Sequence, residues 1–304
     1  MYYRLYHIIR EPKVDYEFPN LISIEIASAC NLNCIHCPSH SKDTIGNKRE
    51  LGFIDIELFN KAMDEIDCYG KRRIYLHKDG EPLLHPKIAE ILTRVKLHNE
   101  HEIYLTTNAS YLTDSVSKLI INSRVDIINF SIGAFTPEMY KHIRGGDLSR
   151  VVANIRNFLN IRNGSAWKPH VIVQIIDLQT IKMDDEIKCF KKYWSQFDVE
   201  VQVWDELTWG IKADTHRHGY RYPCYSLWDS FNINSDGGVT ACCMDWNQSL
   251  IIGNVVKSSI KSIWNGERLK EYRRHHMKNE YDEMEVCKEC NYWHWQPMLA
   301  RYKE

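Results

Sequence analysis

Two rhythms of apolar residues alternate along the first two thirds of the chain. Short, nearly continuous apolar runs at residues 21–27, 73–77, 102–106, 126–132, 171–176 and 199–204 have the length and composition of buried strands. Between them, apolar residues recur at three- and four-residue spacing, the mark of one helix face. Residues 55–67 align Ile56, Phe59, Met63 and Ile66, and residues 86–98 align Ile88, Ile91, Leu92 and Val95. Residues 115–121, 137 to about 161, and 184–197 continue the series, the fourth of these helices opening on Thr136-Pro137-Glu138, a hydroxyl cap with proline at the first helical position.

Six strand–helix repeats imply parallel strands joined by right-handed crossovers. Six units are too few to close an eight-stranded barrel. The expected fold is therefore α/β, an open partial (β/α)6 barrel with its functional loops at the C-terminal strand ends. After about residue 208 the grammar changes. Residues 210–222 are polar and rich in His and Arg, and apolar runs at 231–234 and 239–242 flank Ser235-Asp236-Gly237-Gly238, a hairpin signal. Helical stretches follow near 260–264 and 267–276. The expected organisation is an N-terminal extension (1–20), the partial barrel (21–208) and a small α+β domain (209–304).

Composition narrows the class. Thirty-nine Lys and Arg balance 40 Asp and Glu, which lacks the basic excess of a nucleic-acid binder. No run approaches a membrane span and the N-terminus has no apolar signal core, so the expected setting is the cytoplasm, with no membrane partner. Ten cysteines in 304 residues are too sparse for a disulfide framework, and most sit in short-spaced groups, which points to metal ligation.

The first group is Cys30-Asn31-Leu32-Asn33-Cys34-Ile35-His36-Cys37, directly after the first strand. Three thiolates on one loop leave one iron of a four-iron cluster open to another ligand. A zinc site or three unrelated thiols is the other reading. The C-x3-C-x2-C pattern, with a ring residue before its last cysteine, resembles the signature of radical S-adenosylmethionine (SAM) enzymes. The resemblance implies that SAM chelates the open iron and that His36 lies beside its adenine. It extends to Asp79-Gly80-Glu81-Pro82 after the second strand, which is similar to the family's Gly-Gly-Glu-Pro element with Asp in place of the first glycine. By that resemblance Gly80 and Glu81 hold the SAM amino group. Asn108, in a Thr-Asn turn where Ala109 replaces the usual glycine, Ser131 on the fourth strand and Arg144 match further SAM-contacting positions.

Cys224, Cys242, Cys287 and Cys290 form a second set, separated by seventeen, forty-four and two residues. Four thiolates can enclose a complete cluster, and a four-cysteine zinc site is the alternative. The arrangement resembles the twitch or short SPASM extension of radical SAM proteins, with one auxiliary 4Fe–4S cluster, as in the aminoglycoside cyclitol dehydrogenase and radical SAM epimerase group, and its spacing is similar to that of the cyclitol dehydrogenases. Cys242 or Cys243 would be the ligand, leaving the other as a candidate hydrogen-atom donor. Cys68 and Cys189, on helices, are expected in the core. Asp205 and Glu206, with Trp204, are candidates for a substrate pocket and a catalytic base, as are Asp245 and Trp246.

The resemblance implies a radical SAM oxidoreductase or epimerase, served by a flavodoxin- or ferredoxin-type electron donor. The cluster at Cys30, Cys34 and Cys37 would cleave SAM to a 5′-deoxyadenosyl radical that takes a hydrogen atom from a sugar, cyclitol or aminoglycoside-like polyol. Electron transfer to the auxiliary cluster would end in a ketone, and hydrogen return from Cys243 in epimerisation. Modification of a ribosomal peptide is the alternative, disfavoured because residues 1–20 are too short for a leader-recognition domain. A non-catalytic redox or scaffold protein is the third reading, opposed by the retention of Glu81, Asn108, Ser131 and Arg144 together.

Overall fold

The computed structural model describes residues 17–41, 49–211, 221 and 223–294. The chain divides between Glu206 and Leu207 into two compact units, with residues 17–23 grouped with the C-terminal one. Most of the polar stretch 210–222, residues 1–16 of the N-terminal extension and residues 295–304 lie outside the described residues. Among the described residues, no helix is long and apolar enough to cross a membrane.

In the larger unit, β2 (Arg73–Tyr75), β3 (Glu102–Thr107), β4 (Ile127–Ser131), β5 (His170–Asp177) and β6 (Glu200–Asp205) pair in parallel, in the order β6-β5-β4-β3-β2. β1 (Leu21–Ile24), in which the unit boundary falls, follows β2. With β6 at the end of the order, the barrel is open. The crossovers carry α1 (Ile56–Asp67), α2 (Ile88–Lys96), α3 (Asp114–Asn122), α4 (Pro137–Arg144), α5 (Leu148–Asn163) and α6 (Asp184–Trp194). Burial follows the expected helix faces: α1 hides Phe59, Met63 and Ile66, and α2 hides Ile88, Ile91, Leu92 and Val95.

The single helical region expected from residue 137 to about 161 is two helices. Gly145, at φ 76°, ends α4 in the left-handed conformation that glycine adopts without cost, and Asp147 caps α5 by accepting from Ser149 N and Arg150 N. A side chain at Gly145 would also collide with Asn33 of the cysteine loop, its Cβ lying 2.2 Å from Asn33 Oδ1. Thr136 caps nothing with its hydroxyl. It donates instead to Glu186 Oε1 (2.6 Å), while Phe135 and Thr136 N–H groups donate to Oε2, so this buried carboxylate ties the end of β4 to α6.

The period of two separates the faces of the sheet. Ile103, Leu105, Ile128, Phe130, Val171, Val173 and Ile175 are buried, and Phe130 meets Phe158 of α5 edge to face, centroids 5.4 Å apart. The other face carries Tyr75, Tyr104, Thr106, Asn129, Gln174, Gln202 and Trp204.

The C-terminal unit is an antiparallel sheet of β7 (Ser230–Ile233), β8 (Gly238–Thr240) and β9 (Ile251–Asn254) with α7 (Ser226–Asp229), α8 (Ile260–Trp264), α9 (Glu267–Met277) and α10 (Glu285–Lys288). The hairpin turns at Gly237, φ 83°. The third strand was not expected from its sequence. Gly253 within it admits Ile263 of α8, where a Cβ would lie 2.7 Å from Ile263 Cγ1, and this packing holds a short strand together.

Candidate cofactor sites

In the barrel unit the cysteine loop is pinned from several sides. Ile35 N donates to Ile143 O (2.9 Å), and Gly80 lies against the backbone just ahead of Cys30. A Cβ on Gly80 would stand 2.3 Å from Ala27 O and 2.5 Å from Ala29 O. Close approach, rather than a left-handed backbone, is what requires this glycine. Asp79, at the family's other glycine position, has an ordinary φ and joins a buried quartet of charges. It accepts from Lys78 Nζ (2.7 Å) and Arg49 Nη1 (3.0 Å), and Arg49 also pairs with Glu25. All four side chains are at most 8% exposed. Removing one partner would leave a buried charge uncompensated, so this departure from the motif is built into the loop's foundation.

Glu81 is buried. Its carboxylate accepts from Leu83 N (3.0 Å), Thr107 Oγ1 (2.6 Å) and Asn108 N (2.7 Å). Burial pushes its pKa up against these donors. The acid therefore splices the ends of β2 and β3 and fixes Asn108, whose Nδ2 reaches Asn31 Oδ1 (3.0 Å) and points toward Cys30 Sγ (4.0 Å). Ala109 holds the left-handed conformation (φ 59°) that the family's glycine would adopt freely.

Arg144 is buried at the end of α4. It donates to Ile132 O (3.2 Å), Ser131 O, Ser131 Oγ (2.9 Å) and Cys34 Sγ (3.2 Å), so the guanidinium bridges β4 and the cysteine loop. His40 Nδ1 stands 3.5 Å from Cys37 Sγ, with its Nε2 donating to Ser28 O (2.9 Å). Burial raises the Cys30 thiol to about 11 and the Cys37 thiol to about 12, and in both the neighbouring Cys34 charge adds to the rise. His36 is half-buried.

In the C-terminal unit Cys224, Cys242, Cys287 and Cys290 are all buried. Burial raises Cys224 to about 12, and burial first, then the charges of Cys242 and Cys224, raises Cys287 and Cys290. Of the adjacent pair, Cys242 stands with the other three thiols. Cys243 is half-buried and hydrogen-bonded to it, which, ahead of burial, pushes Cys242 up.

Several expected residues fall elsewhere. Cys68 and Cys189 are exposed, not core: Cys68 caps α1, its thiol donating to Asp64 O. Asp245 is fully buried and accepts from Ser249 N (2.9 Å), Ser249 Oγ (3.0 Å) and Leu250 N (2.8 Å), and Trp246 is buried beside it. Asp205 alternates with Gln202 and Trp204 and so points away from their face, toward Asp177, its neighbour across β5 and β6. Glu206 is buried and accepts from Gln179 N (3.1 Å), clamping a loop.

What sequence reasoning missed is the polar row on the second face of the sheet. His77, Tyr75 and Tyr104 stack with centroids 4.5–5.7 Å apart. His77 Nε2 lies 3.2 Å from Thr106 Oγ1, Asn129 Nδ2 donates to Gln174 Oε1 (2.7 Å), and Trp204 Nε1 donates to Gln202 Oε1 (2.7 Å). Burial lowers His77 to about 4, so the ring is neutral at pH 7. The alternation along β3 to β6 was the available signal.

An open α/β barrel whose first strand leads into a three-thiol loop, followed by a unit with four buried thiols, defines a two-site iron–sulfur protein. The donor sets fit that role: three thiols share one short loop and four buried thiols meet in the C-terminal unit, and the thiolate is the form that ligates iron. Among the described residues no group of three or more His, Cys, Asp or Glu is drawn in to single-ion spacing. A model of the radical SAM superfamily matches residues 24–173, and a model of the SPASM iron–sulfur cluster-binding domain matches residues 224–291. The chain belongs to the radical SAM superfamily and carries a SPASM domain, which together imply a 4Fe–4S cluster with SAM in the barrel and auxiliary iron–sulfur binding in the C-terminal unit.

Among curated proteins, the chain is 30% identical over 141 residues to a probable GTP 3′,8-cyclase of Methanocaldococcus jannaschii, covering 46% of this chain and 45% of that protein. It is 26% identical over 207 residues to the GTP 3′,8-cyclase of Limosilactobacillus fermentum, covering 66% and 58%. The chain thus spans about half the length of the curated relatives it matches. In fold it is similar to BtrN in complex with AdoMet and 2-DOIA (TM-score 0.62, 18% identity, 90% of this chain and 92% of that one). It is likewise similar to anSMEcpe with bound AdoMet (TM-score 0.67, 15% identity, 90% and 89%).

His276 supplies a pH prediction for the metal-free protein. Burial, with the charges of Arg221 and His275, lowers it to about 3 against an ordinary 6.5. The unfolded chain therefore binds a proton that the folded one refuses. The stability is fully present above pH 6.5 and is lost as pH falls from there toward 3. From pH 7 to pH 5 this one group should cost about 2 kcal/mol. Urea unfolding at the two pH values checks it: His276→Phe should remove that share of the pH dependence, and an unchanged slope would refute it.

Proposed function

We propose that this radical SAM protein dehydrogenates an alcohol carbon of a small polyhydroxylated substrate, a sugar, cyclitol or aminocyclitol. The observation carrying this reading is the polar row Thr106–His77, Asn129–Gln174 and Gln202–Trp204. Amides and hydroxyls on successive strands can both donate to and accept from vicinal hydroxyls, and Trp204 offers a ring face to a sugar or cyclitol. Cys30, Cys34 and Cys37 would hold the first cluster, with SAM beside Asn108, Ser131 and Arg144. When bound, they supply one-electron cleavage of SAM to a 5′-deoxyadenosyl radical that abstracts hydrogen from an unactivated C–H.

The residues' own work is to orient. Arg144, held by Ser131 and Ile132, fixes a buried positive charge beside the cysteine loop, and Glu81 keeps Asn108 in place. Neutral His77 holds its proton and offers a hydrogen-bonding nitrogen rather than a charge. Cys224, Cys242, Cys287 and Cys290 would hold the auxiliary cluster, which, when bound, would supply a one-electron acceptor, with the hydroxyl proton passing to solvent. That supports loss of two hydrogens over epimerisation.

The test is anaerobic turnover of reconstituted protein with SAM and a reductant, on a panel of deuterated cyclitols, aminocyclitols, sugars and serine- or cysteine-bearing peptides. A polyol should lose two hydrogens and deliver deuterium to 5′-deoxyadenosine. Asn129→Ala should raise KM about tenfold while uncoupled SAM cleavage persists. Turnover of peptides alone, or an isomeric product carrying solvent deuterium, would exclude this reading.

A further inference from the structure

The buried stripe of α9 runs through Leu269, Arg273 and His276, spaced four and three residues apart in an otherwise charged helix. Arg273 is absorbed by structure, its Nε donating to Leu227 O (2.9 Å) and its guanidinium lying over Trp264. His276, only 1% exposed, instead stands between two of the four thiol-bearing residues. Its Nδ1 accepts from the backbone N–H of Cys224 (3.0 Å), and its Nε2 lies 3.4 Å from Cys287 Sγ.

These two contacts determine the tautomer. A ring nitrogen that accepts from an amide carries no proton, so the ring proton resides on Nε2 and is directed at the sulfur. Tyr281 packs edge to face on the ring (5.0 Å), and Arg221 lies over the Tyr281 ring at 4.1 Å, keeping the imidazole in one orientation and a cation close by. When Cys287 becomes a thiolate ligand, the same N–H is already aimed at it.

We propose that His276 is a positioning residue for the auxiliary cluster, a fixed N–H···S donor to Cys287 that raises the cluster's reduction potential. The inference rests on the reading that the four thiols hold that cluster. Its physical basis is charge: reduction adds an electron largely shared with the sulfurs, and a donor at a sulfur stabilises that extra charge more than it stabilises the oxidised state. A higher potential makes the site a better acceptor of an electron from a substrate radical.

The experiment uses the full chain with Cys30, Cys34 and Cys37 replaced by Ala, so that the auxiliary cluster alone is titrated. Iron and sulfide counts come first: absence of a second cluster in this protein would remove both the reading and the inference. With the cluster present, His276→Phe should lower the midpoint, reducing the ratio of reduced to oxidised cluster at a fixed potential about tenfold, about 59 mV for one electron. His276→Gln, whose amide can still donate, should recover much of the shift. An unchanged midpoint in His276→Phe with iron content intact would overturn the proposal. Should the phenylalanine variant fail to fold, 15N-histidine labelling of the parent decides: the reduced cluster should show a weak nitrogen coupling and an exchangeable proton, and their absence would overturn the proposal equally.

Discussion

Cys30→Ala is expected to abolish reductive SAM cleavage, leaving only the rate of the reductant alone, while the iron content of the reconstituted protein falls by about half, from about eight to about four per chain. The loss should be complete rather than graded, because a two-thiolate loop cannot hold a four-iron cluster with a site open for SAM. The surviving iron should belong to the four-thiol set, whose residues lie in a separately compact unit. Cys68→Ala is the matched control: that thiol is exposed at the end of α1 and should affect neither iron nor cleavage. Retained 5′-deoxyadenosine formation in Cys30→Ala would remove the barrel loop from the chemistry. Four irons in the wild type, with bound zinc, would remove the auxiliary cluster.

Gly80→Ala should have the second largest effect, through packing alone. The added methyl would lie 2.3 Å from Ala27 O and 2.5 Å from Ala29 O, and both obstacles are backbone. No side chain can swing aside, so the loop before Cys30 must move, and the Glu81 N to Ala29 O bond (2.9 Å) must stretch with it. Overpacking of this kind costs about 1–3 kcal/mol, and the strained hydrogen bond brings the expected loss to about 3 kcal/mol. The first cluster should load poorly while the auxiliary cluster is retained. Gly52→Ala, a position with open space around its would-be Cβ, should change stability little. Calorimetry with iron analysis measures both, and a Gly80→Ala protein as stable and as fully loaded as the wild type would refute the packing account.

These two substitutions show which features of the site are legible at which level. Cys30 announces itself by spacing, because three thiols on one short loop are a local arrangement. Gly80 is visible only as a motif letter; the reason for it, contact with residues fifty positions earlier, is tertiary. Asp79 is the same lesson inverted. As a sequence it is a departure from glycine, and in the fold it is the hub of a buried quartet drawn from Glu25, Arg49 and Lys78. The candidate acids share one difficulty. Asp205, Glu206 and Asp245 sit in polar loops or at a strand end, where nothing local distinguishes a side chain facing a substrate from one that caps neighbouring amides.

The sequence by itself determined the strand–helix alternation, the open barrel and the two cysteine sets, because periodicity and short-range spacing are properties of the chain's own geometry. Only the tertiary structure decided which of Cys242 and Cys243 joins the four-thiol set, that Glu81 joins β2 to β3, and that the amide row faces one side of the sheet. It also decided that a histidine in a charged helix is turned inward onto a cysteine. Each of these depends on which distant groups meet across the fold, and hydrogen bonding and burial act on that proximity whatever the separation along the chain.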